Sequence, residues 1–245
     1  GEKLTGILSR PASSPDHPPP KGGKVVIFCH GLYQHKNIAF LKDFANRIPA
    51  ELGMAAFRFD FHGLGGSDGT TSFCPHAANL CDLECVVDYL TGPSLRLSIE
   101  VLYGYSAGGN VVLKYLSKHC CCADDGDGDD NADADAAAGR SGVSAASRVP
   151  YVVLSSPRFD MSRIKETIAP DSLRQLYSSG SGSGGSFEYT FTKRGKPVTL
   201  TVPRADVDTF AAMTVKADCR AVNFAQVLHT HGIDDTVCPQ MFALN

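Results

Sequence analysis

The sequence predicts a globular protein of the α/β class, with a mostly parallel sheet and helices on both faces. Three observations support this prediction. Short β-branched or aromatic runs alternate along the 245 residues with segments that repeat apolar side chains at helical spacing. Hydrophobic residues make up 43% of the chain and charged residues 20%, as in ordinary globular proteins. No apolar run approaches the ~18 residues that a membrane-spanning helix needs.

Each element follows from its own pattern. An N-terminal strand is followed by a Pro- and Gly-rich connection at 9–23, which predicts an exposed loop. Buried strands are predicted where β-branched and aromatic residues cluster, and helices where apolar residues recur every three or four positions. The predicted core strands are 24–30, 54–61, 99–105, 151–156 and 226–231, and the predicted helices are 38–52, 76–91 and 107–119.

Two stretches interrupt the alternation. Residues 120–148 are rich in Asp, Ala and Gly and poor in large apolar groups, so we expect a disordered acidic insertion there. Residues 157–223 form a longer excursion with a Gly/Ser linker at 178–186 and a predicted hairpin at 187–202. We interpret the excursion as a cap over the active site, with a plain surface insertion as the alternative. The expected organisation is a core at 1–156, a cap at 157–223 and a truncated core continuation at 224–245.

Charge and cysteine usage exclude several classes of function. The formal net charge is −3, and residues 123–139 contribute seven Asp, so the rest of the chain sums to +4. A balance this small predicts neither nucleic-acid binding nor attraction to a charged membrane. Nine cysteines without paired Cys-x-x-Cys spacing predict free thiols rather than a zinc site. No secretory signal is visible, so we expect a cytoplasmic protein. We also expect no cofactor and no metal. The sequence leaves the oligomeric state open.

The strongest local signal for chemistry is the pentapeptide GYSAG at 104–108. It follows a predicted strand and opens a predicted helix, which is the setting of a nucleophile elbow. Small flanking residues let the chain turn sharply and present the Ser106 hydroxyl at the carboxyl edge of the sheet. The helix then directs N–H groups and its positive end toward developing negative charge. We therefore predict that Ser106 is the catalytic nucleophile.

A second signal is HGL at 30–32, at the end of the first core strand. In enzymes with a nucleophile elbow, an N–H group from this loop and the N–H of the residue after the serine form the oxyanion hole. We therefore predict that the backbone N–H groups of Leu32 and Ala107 bind the oxyanion. His30 itself is interpreted as a residue that orients the loop, because it lies too early in the chain for the expected base.

The third signal is HGIDDTVCP at 231–239, after the last predicted strand. A carboxylate here could hold a catalytic imidazole in its productive tautomer, and either Asp234 or Asp235 could serve.

Taken together, the segments HGL, RFDFHGLGGSDG, GYSAGG and HGIDDTVCP resemble the α/β-hydrolase superfamily. They are most similar to its serine-hydrolase branch of cinnamoyl- and feruloyl-esterase-like and serine-aminopeptidase-like (S33-type) enzymes. The resemblance covers most of the chain outside 120–148 and the linker near 180. It implies an α/β-hydrolase fold with a cap insertion after the sixth strand, C-terminally incomplete in this chain.

The resemblance also implies Asp235 as the triad acid, with Asp234 as the second candidate and His231 as a residue that is not the base. In this family the catalytic His follows the acid by some tens of residues. All eight histidines of this chain precede Asp235, and only ten residues follow it. We therefore expect the last strand and helix to be missing, so that the chain by itself lacks an efficient general base.

Three functions are compatible with these observations. The resemblance implies a serine hydrolase that cleaves small-molecule carboxylic esters through an acyl-enzyme on Ser106. A serine aminopeptidase-like peptidase is an alternative within the same enzyme class. A non-catalytic binding protein with the same fold is the third, because the triad His is absent from the chain.

Overall fold

A computed structural model describes residues 1–12, 22–73, 75–119, 149–161, 164, 170–178, 185–193, 195–213, 215–222 and 225–232. The elements in chain order are β1 (Gly6–Ser9), β2 (Lys24–Cys29), α1 (Ala39–Leu52), β3 (Ala55–Phe59), α2 (His76–Thr91), β4 (Ser98–Tyr105), α3 (Ala107–His119), β5 (Tyr151–Ser155), α4 (Pro170–Ser178), β6 (Ser186–Lys193), β7 (Lys196–Pro203), α5 (Arg204–Ala211), α6 (Val215–Ala221) and β8 (Gln226–Thr230).

Six of the strands form one sheet in the order β1-β3-β2-β4-β5-β8. Strand β1 pairs antiparallel with β3, and every other neighbouring pair is parallel. Parallel strands all end at the same edge of a sheet, so the loops after β2, β3, β4, β5 and β8 lie side by side. This carboxyl edge is where ligands bind in sheets of this kind.

Helices cover both faces of the sheet, as the sequence predicted. Because side chains alternate along a strand, Val26 and Phe28 of β2 face one side and Val25 and Ile27 the other. On the first side they pack in one buried cluster with Leu41 of α1. On the second side the larger cluster includes residues from the other two core helices, namely Leu83, Val86, Val87 and Leu90 of α2 and Val111, Val112, Leu113 and Leu116 of α3.

The excursion after β5 carries a second, two-stranded sheet formed by β6 and β7, in register from Ser186↔Pro203 to Lys193↔Lys196. Its helix α6 is joined to α3 by an ion pair between Lys114 Nζ and Asp218 Oδ1 at 3.0 Å. Among the described residues β5 is the fifth strand in chain order, where the sequence analysis expected the sixth. The residue pattern also places four strands ahead of 151–156, and the count of six was implied by the resemblance alone.

The predicted elements are confirmed, with ends that differ by one or two residues. The largest difference is β3, which ends at Phe59 instead of residue 61 because the chain leaves the sheet at Asp60. The Asp60 N–H there donates to the Thr5 carbonyl at 2.9 Å. Residues 120–148, most of the linker at 178–186, and both Asp234 and Asp235 lie outside the described residues. Within the described part of the chain, no helix is both long and apolar enough to span a membrane.

Candidate active site

Ser106 lies in the sharp turn between β4 and α3, and its φ is +51°. A side chain with a Cβ rarely adopts this left-handed backbone conformation, so the neighbouring structure has to hold it. Two backbone hydrogen bonds do so. The Ser106 N–H donates to the Ser155 carbonyl of β5 at 2.8 Å, and the Gly109 N–H donates to the Ser106 carbonyl at 2.9 Å.

The turn is packed so closely that its glycines leave no room for a side chain. A Cβ on Gly108 would lie 2.4 Å from the Cys29 carbonyl oxygen and 2.5 Å from that of His30. A Cβ on Gly104 would lie 2.4 Å from the Gly109 Cα. The first turn of α3 is therefore pressed against the end of β2, which brings the residue after the serine next to the loop that follows His30.

That loop begins with a β-turn over residues 31–34, closed by a hydrogen bond from the Gln34 N–H to the Gly31 carbonyl at 3.2 Å. The Gln34 Oε1 in turn accepts the Gly31 N–H at 3.3 Å. A Cβ built on Gly31 would lie 3.2 Å from the Ser106 Cβ, so the turn directly adjoins the serine. Leu32 and Ala107 line one pocket with a cavity volume of ≈ 10 Å³, which is about the space of a single water molecule.

His30 is buried at the end of β2 and holds two loops together. Its Nε2 accepts a hydrogen bond from the Phe61 N–H at 3.1 Å, so the proton is on Nδ1, which donates to the Gly31 carbonyl at 2.8 Å. Burial lowers the pKa of His30 to about 4. Both ring nitrogens are occupied and the ring is neutral at pH 7, so His30 orients the loop, as the sequence analysis favoured.

Asp60 organises the same edge from the neighbouring strand. Its carboxylate is fully buried, forms an ion pair with Lys36 Nζ, and accepts the backbone N–H groups of Lys36 and Gly66, the latter at 2.8 Å. A Cβ on Gly65, whose φ is +51°, would lie 2.2 Å from this carboxylate. The glycine is therefore required for the close approach.

The sheet order and the strained serine between β4 and α3 agree with the matches to known proteins, and together they identify the fold. A family model described as serine aminopeptidase, S33, matches residues 20–125. The chain has the α/β-hydrolase fold. The matched residues include β2, the Asp60 loop, the elbow and α3.

Solved structures and a curated relative agree with this α/β-hydrolase assignment. Est1E from Butyrivibrio proteoclasticus has a TM-score of 0.63 at 17% identity, with 98% of this chain and 78% of that chain covered. A soluble variant of monoglyceride lipase from Saccharomyces cerevisiae has a TM-score of 0.60 at 16% identity, with 96% and 75% covered. An abhydrolase domain-containing protein from Dictyostelium discoideum is 28% identical over 93 residues, which span 38% of this chain and 24% of that relative.

Within this α/β-hydrolase fold, the structure brings three of the four predicted site residues to one place. Ser106, Leu32 and Ala107 lie at the carboxyl edge around the turn described above, and Asp235 is outside the described residues. Among the described residues, no group of His, Cys, Asp and Glu side chains could hold a metal ion.

Sequence reasoning missed the Lys36–Asp60 ion pair and the burial of Tyr33, the residue that follows Leu32. The aromatic contacts of Tyr33 are with Phe73, 40 positions away, and with Tyr189 and Phe191, more than 150 positions away. No local pattern signals such a contact.

Proposed function

We propose that this chain carries the nucleophile and the oxyanion hole of a serine hydrolase that acts on carboxylic esters. The observation that supports the proposal most directly is the φ of +51° at Ser106, between a strand and a helix and next to the Gly31 turn. A nucleophile gains exposure at the carboxyl edge of the sheet and a place at the start of a helix.

In the proposed reaction, Ser106 Oγ forms a bond to the ester carbonyl carbon while its proton passes to a general base. The carbonyl oxygen becomes an oxyanion that accepts hydrogen bonds from the N–H groups of Leu32 and Ala107. Collapse of this intermediate breaks the bond to the alcohol, which leaves with the proton. Water then attacks the acyl-enzyme in the same way and releases the acid and a free Ser106. Leu32 and Ala107 line the same small cavity, whose volume of ≈ 10 Å³ is about the space of one water molecule.

The acid and base of the proposed triad come from sequence reasoning. Asp235 is proposed as the acid, with Asp234 as the alternative. The resemblance described for the sequence implies a histidine base that follows the acid in chain order. All the histidines of the present chain precede Asp235, and the buried His30 is already bonded through both ring nitrogens.

An ester is proposed in preference to a peptide because three carboxylates of the excursion already have a hydrogen-bond or ion-pair partner within the protein. An aminopeptidase needs a carboxylate that can bind the substrate α-amine. Among the described residues, Asp208 Oδ1 accepts the Tyr177 hydroxyl at 2.7 Å and Glu188 Oε1 accepts the Thr201 hydroxyl at 2.7 Å. Asp171 lies 3.4 Å from an Arg174 guanidinium nitrogen. These three carboxylates already have neighbouring partners.

The proposal is tested by fluorophosphonate labelling of this 245-residue chain and of the full-length product of its gene, each beside a Ser106→Ala variant. We expect the full-length protein to label and its Ser106→Ala variant not to label. Labelling that persists in Ser106→Ala, or a folded full-length protein that does not label, overturns the proposal. The second result favours a non-catalytic binding protein.

Bond specificity is measured on the same full-length protein with methyl ferulate, a monoacylglycerol and an aminoacyl p-nitroanilide. The first substrate is included because Est1E has been solved with ferulic acid bound. We expect Ser106-dependent hydrolysis of at least one ester at a rate well above that of the anilide. Faster cleavage of the anilide would instead support the peptidase alternative.

A further inference from the structure

The side chain of Tyr33 connects the predicted oxyanion turn to the β6–β7 hairpin. Its ring stacks on that of Phe191 with centroids 4.3 Å apart and an interplanar angle of 16°. The ring of Tyr189 lies 5.1 Å away on the same strand of the hairpin. Tyr33 is 7% exposed although it follows directly on Leu32 in a loop. The residue next to the proposed oxyanion donor is therefore buried against the hairpin.

The backbone of Tyr33 is held in an uncommon conformation. Its φ is +54°, at the third position of the turn over residues 31–34, a place where glycine or asparagine is usual. A bulky residue stays in this region when its surroundings hold it there. The aromatic contacts to Phe191 and Tyr189 are the packing that meets this requirement on the hairpin side.

The hairpin is itself fixed to the core independently of Tyr33. Lys193 Nζ donates to the Gly63 carbonyl oxygen at 2.5 Å and to the Thr71 hydroxyl at 3.0 Å, both in the segment between β3 and α2. At the other end of β6, the Phe187 ring lies 6.3 Å from that of Phe73. These contacts hold the hairpin against the core, and the Tyr33 ring packs on the hairpin.

We propose that Tyr33 is a positioning residue for the oxyanion hole. Its ring, held by Phe191 and Tyr189, keeps the 31–34 turn in the form that directs the Leu32 N–H into the pocket shared with Ala107. This inference rests on the proposed function, because it assumes that the Leu32 N–H binds an oxyanion. Such a donor acts mainly on the transition state, so a loosened turn lowers kcat and leaves KM nearly unchanged.

The test uses Tyr33→Gly in the full-length product of the gene, with steady-state hydrolysis of the ester identified above. Glycine tolerates the positive φ, so this variant removes the ring without adding backbone strain. Since deletion of a whole oxyanion donor costs about 10²–10³ in kcat, we expect a fall of about 10–100-fold in kcat, with KM within about twofold. Tyr33→Phe, which keeps the ring, is expected to retain kcat within about threefold.

Phe191→Leu tests the coupling from the hairpin side and is expected to lower kcat by about 3–10-fold. The matched control is Phe187→Leu, because Phe187 is buried in the same hairpin and reaches Tyr33 only through Phe73 and Tyr189, both of which contact the Tyr33 ring. Its kcat is expected to stay within about twofold of the wild type.

The outcomes separate the two proposals. A folded Tyr33→Gly that keeps its kcat, or that loses only substrate affinity, overturns the positioning role while the esterase proposal stands. If Tyr33→Gly does not fold, Phe191→Leu decides: a lower kcat with KM unchanged supports the role, and an unchanged kcat overturns it. A wild type without Ser106-dependent turnover overturns the proposed function and this inference with it.

Discussion

Lys36 and Asp60 form an ion pair buried at the carboxyl edge of the sheet, with side chains 9% and 0% exposed. Lys36 belongs to the loop after the predicted oxyanion turn, and Asp60 to the end of β3. The pair therefore joins the loops that follow two neighbouring strands. The same carboxylate also accepts the backbone N–H of Gly66, so a third segment depends on it.

Removal of one charge from this pair is expected to destabilise the protein strongly. Lys36→Met leaves a buried carboxylate without its cation, which costs about 3–5 kcal/mol of unfolding free energy. The double variant Lys36→Met/Asp60→Asn leaves no unpaired charge and keeps a carbonyl acceptor, so it is expected to be more stable than Lys36→Met alone. Urea denaturation measures both. A double variant less stable than Lys36→Met would contradict the buried ion pair.

The strained backbone at Ser106 predicts an unusual order of stabilities for two substitutions. In the left-handed region an L side chain costs about 1–2 kcal/mol, whereas the extra freedom of glycine in the unfolded chain costs about 0.5–1 kcal/mol. Ser106→Gly is therefore expected to be more stable than Ser106→Ala by about 0.5–1 kcal/mol. Thermal denaturation of the two variants checks this. If the alanine variant melts at the same temperature or higher, the elbow is not strained as described.

Gly108 is expected to tolerate no side chain at all. Its added Cβ would meet the carbonyl oxygens of Cys29 and His30 at 2.4 and 2.5 Å, and backbone atoms of a central strand move little. Gly108→Ala is expected to lose about 1–3 kcal/mol of unfolding free energy and to reduce fluorophosphonate labelling at Ser106.

The matched control for Gly108→Ala is Gly66→Ala, where the added Cβ would lie 3.3 Å from the Thr5 side chain. That variant is expected to keep its labelling and to lose less stability. If Gly108→Ala and Gly66→Ala lose the same unfolding free energy, the close contact at Gly108 does not determine the stability of the turn.

Acid is expected to destabilise the fold through buried histidines. Burial lowers the pKa of His76, at the start of α2, to about 4, below the value of about 6.5 for an exposed histidine. Between these values the unfolded chain binds a proton that the folded chain does not, so stability is complete above pH 6.5 and falls as the pH drops toward 4. The loss from this one group is about 3 kcal/mol at most. His30, with its pKa also at about 4, acts in the same direction.

The variant His76→Phe checks the contribution of this residue. A phenyl ring preserves the stacking on Phe210, whose centroid lies 5.4 Å from that of His76, and it cannot be protonated. We expect urea denaturation between pH 6.5 and 4 to show a shallower loss of stability than in the wild type. The same slope in both proteins would mean that His76 is not buried in its neutral form.

Most of the core fold was predictable from the sequence because its signals are local. The helix α3 was predicted at 107–119 and is found at Ala107–His119, since its apolar spacing and the preceding glycines lie within one short segment. The hairpin β6–β7 was predicted from two alternating runs around a short turn and is found within one residue at each end. The elbow at Ser106 was predictable for the same reason, because strand, turn and helix follow each other directly.

The contacts around the site required the tertiary structure. His30 Nε2 meets the Phe61 N–H, Lys36 meets Asp60, and Tyr33 meets Phe191, although the partners are 24 to 158 positions apart. No periodicity connects such pairs, because the order of strands in the sheet decides which loops become neighbours. By itself, the sequence determined the class of fold, its elements and the serine at the turn, since these depend on neighbouring residues. Only the packed sheet decided which buried groups join the loops at its carboxyl edge, because side chains far apart in the chain meet only once the strands are side by side.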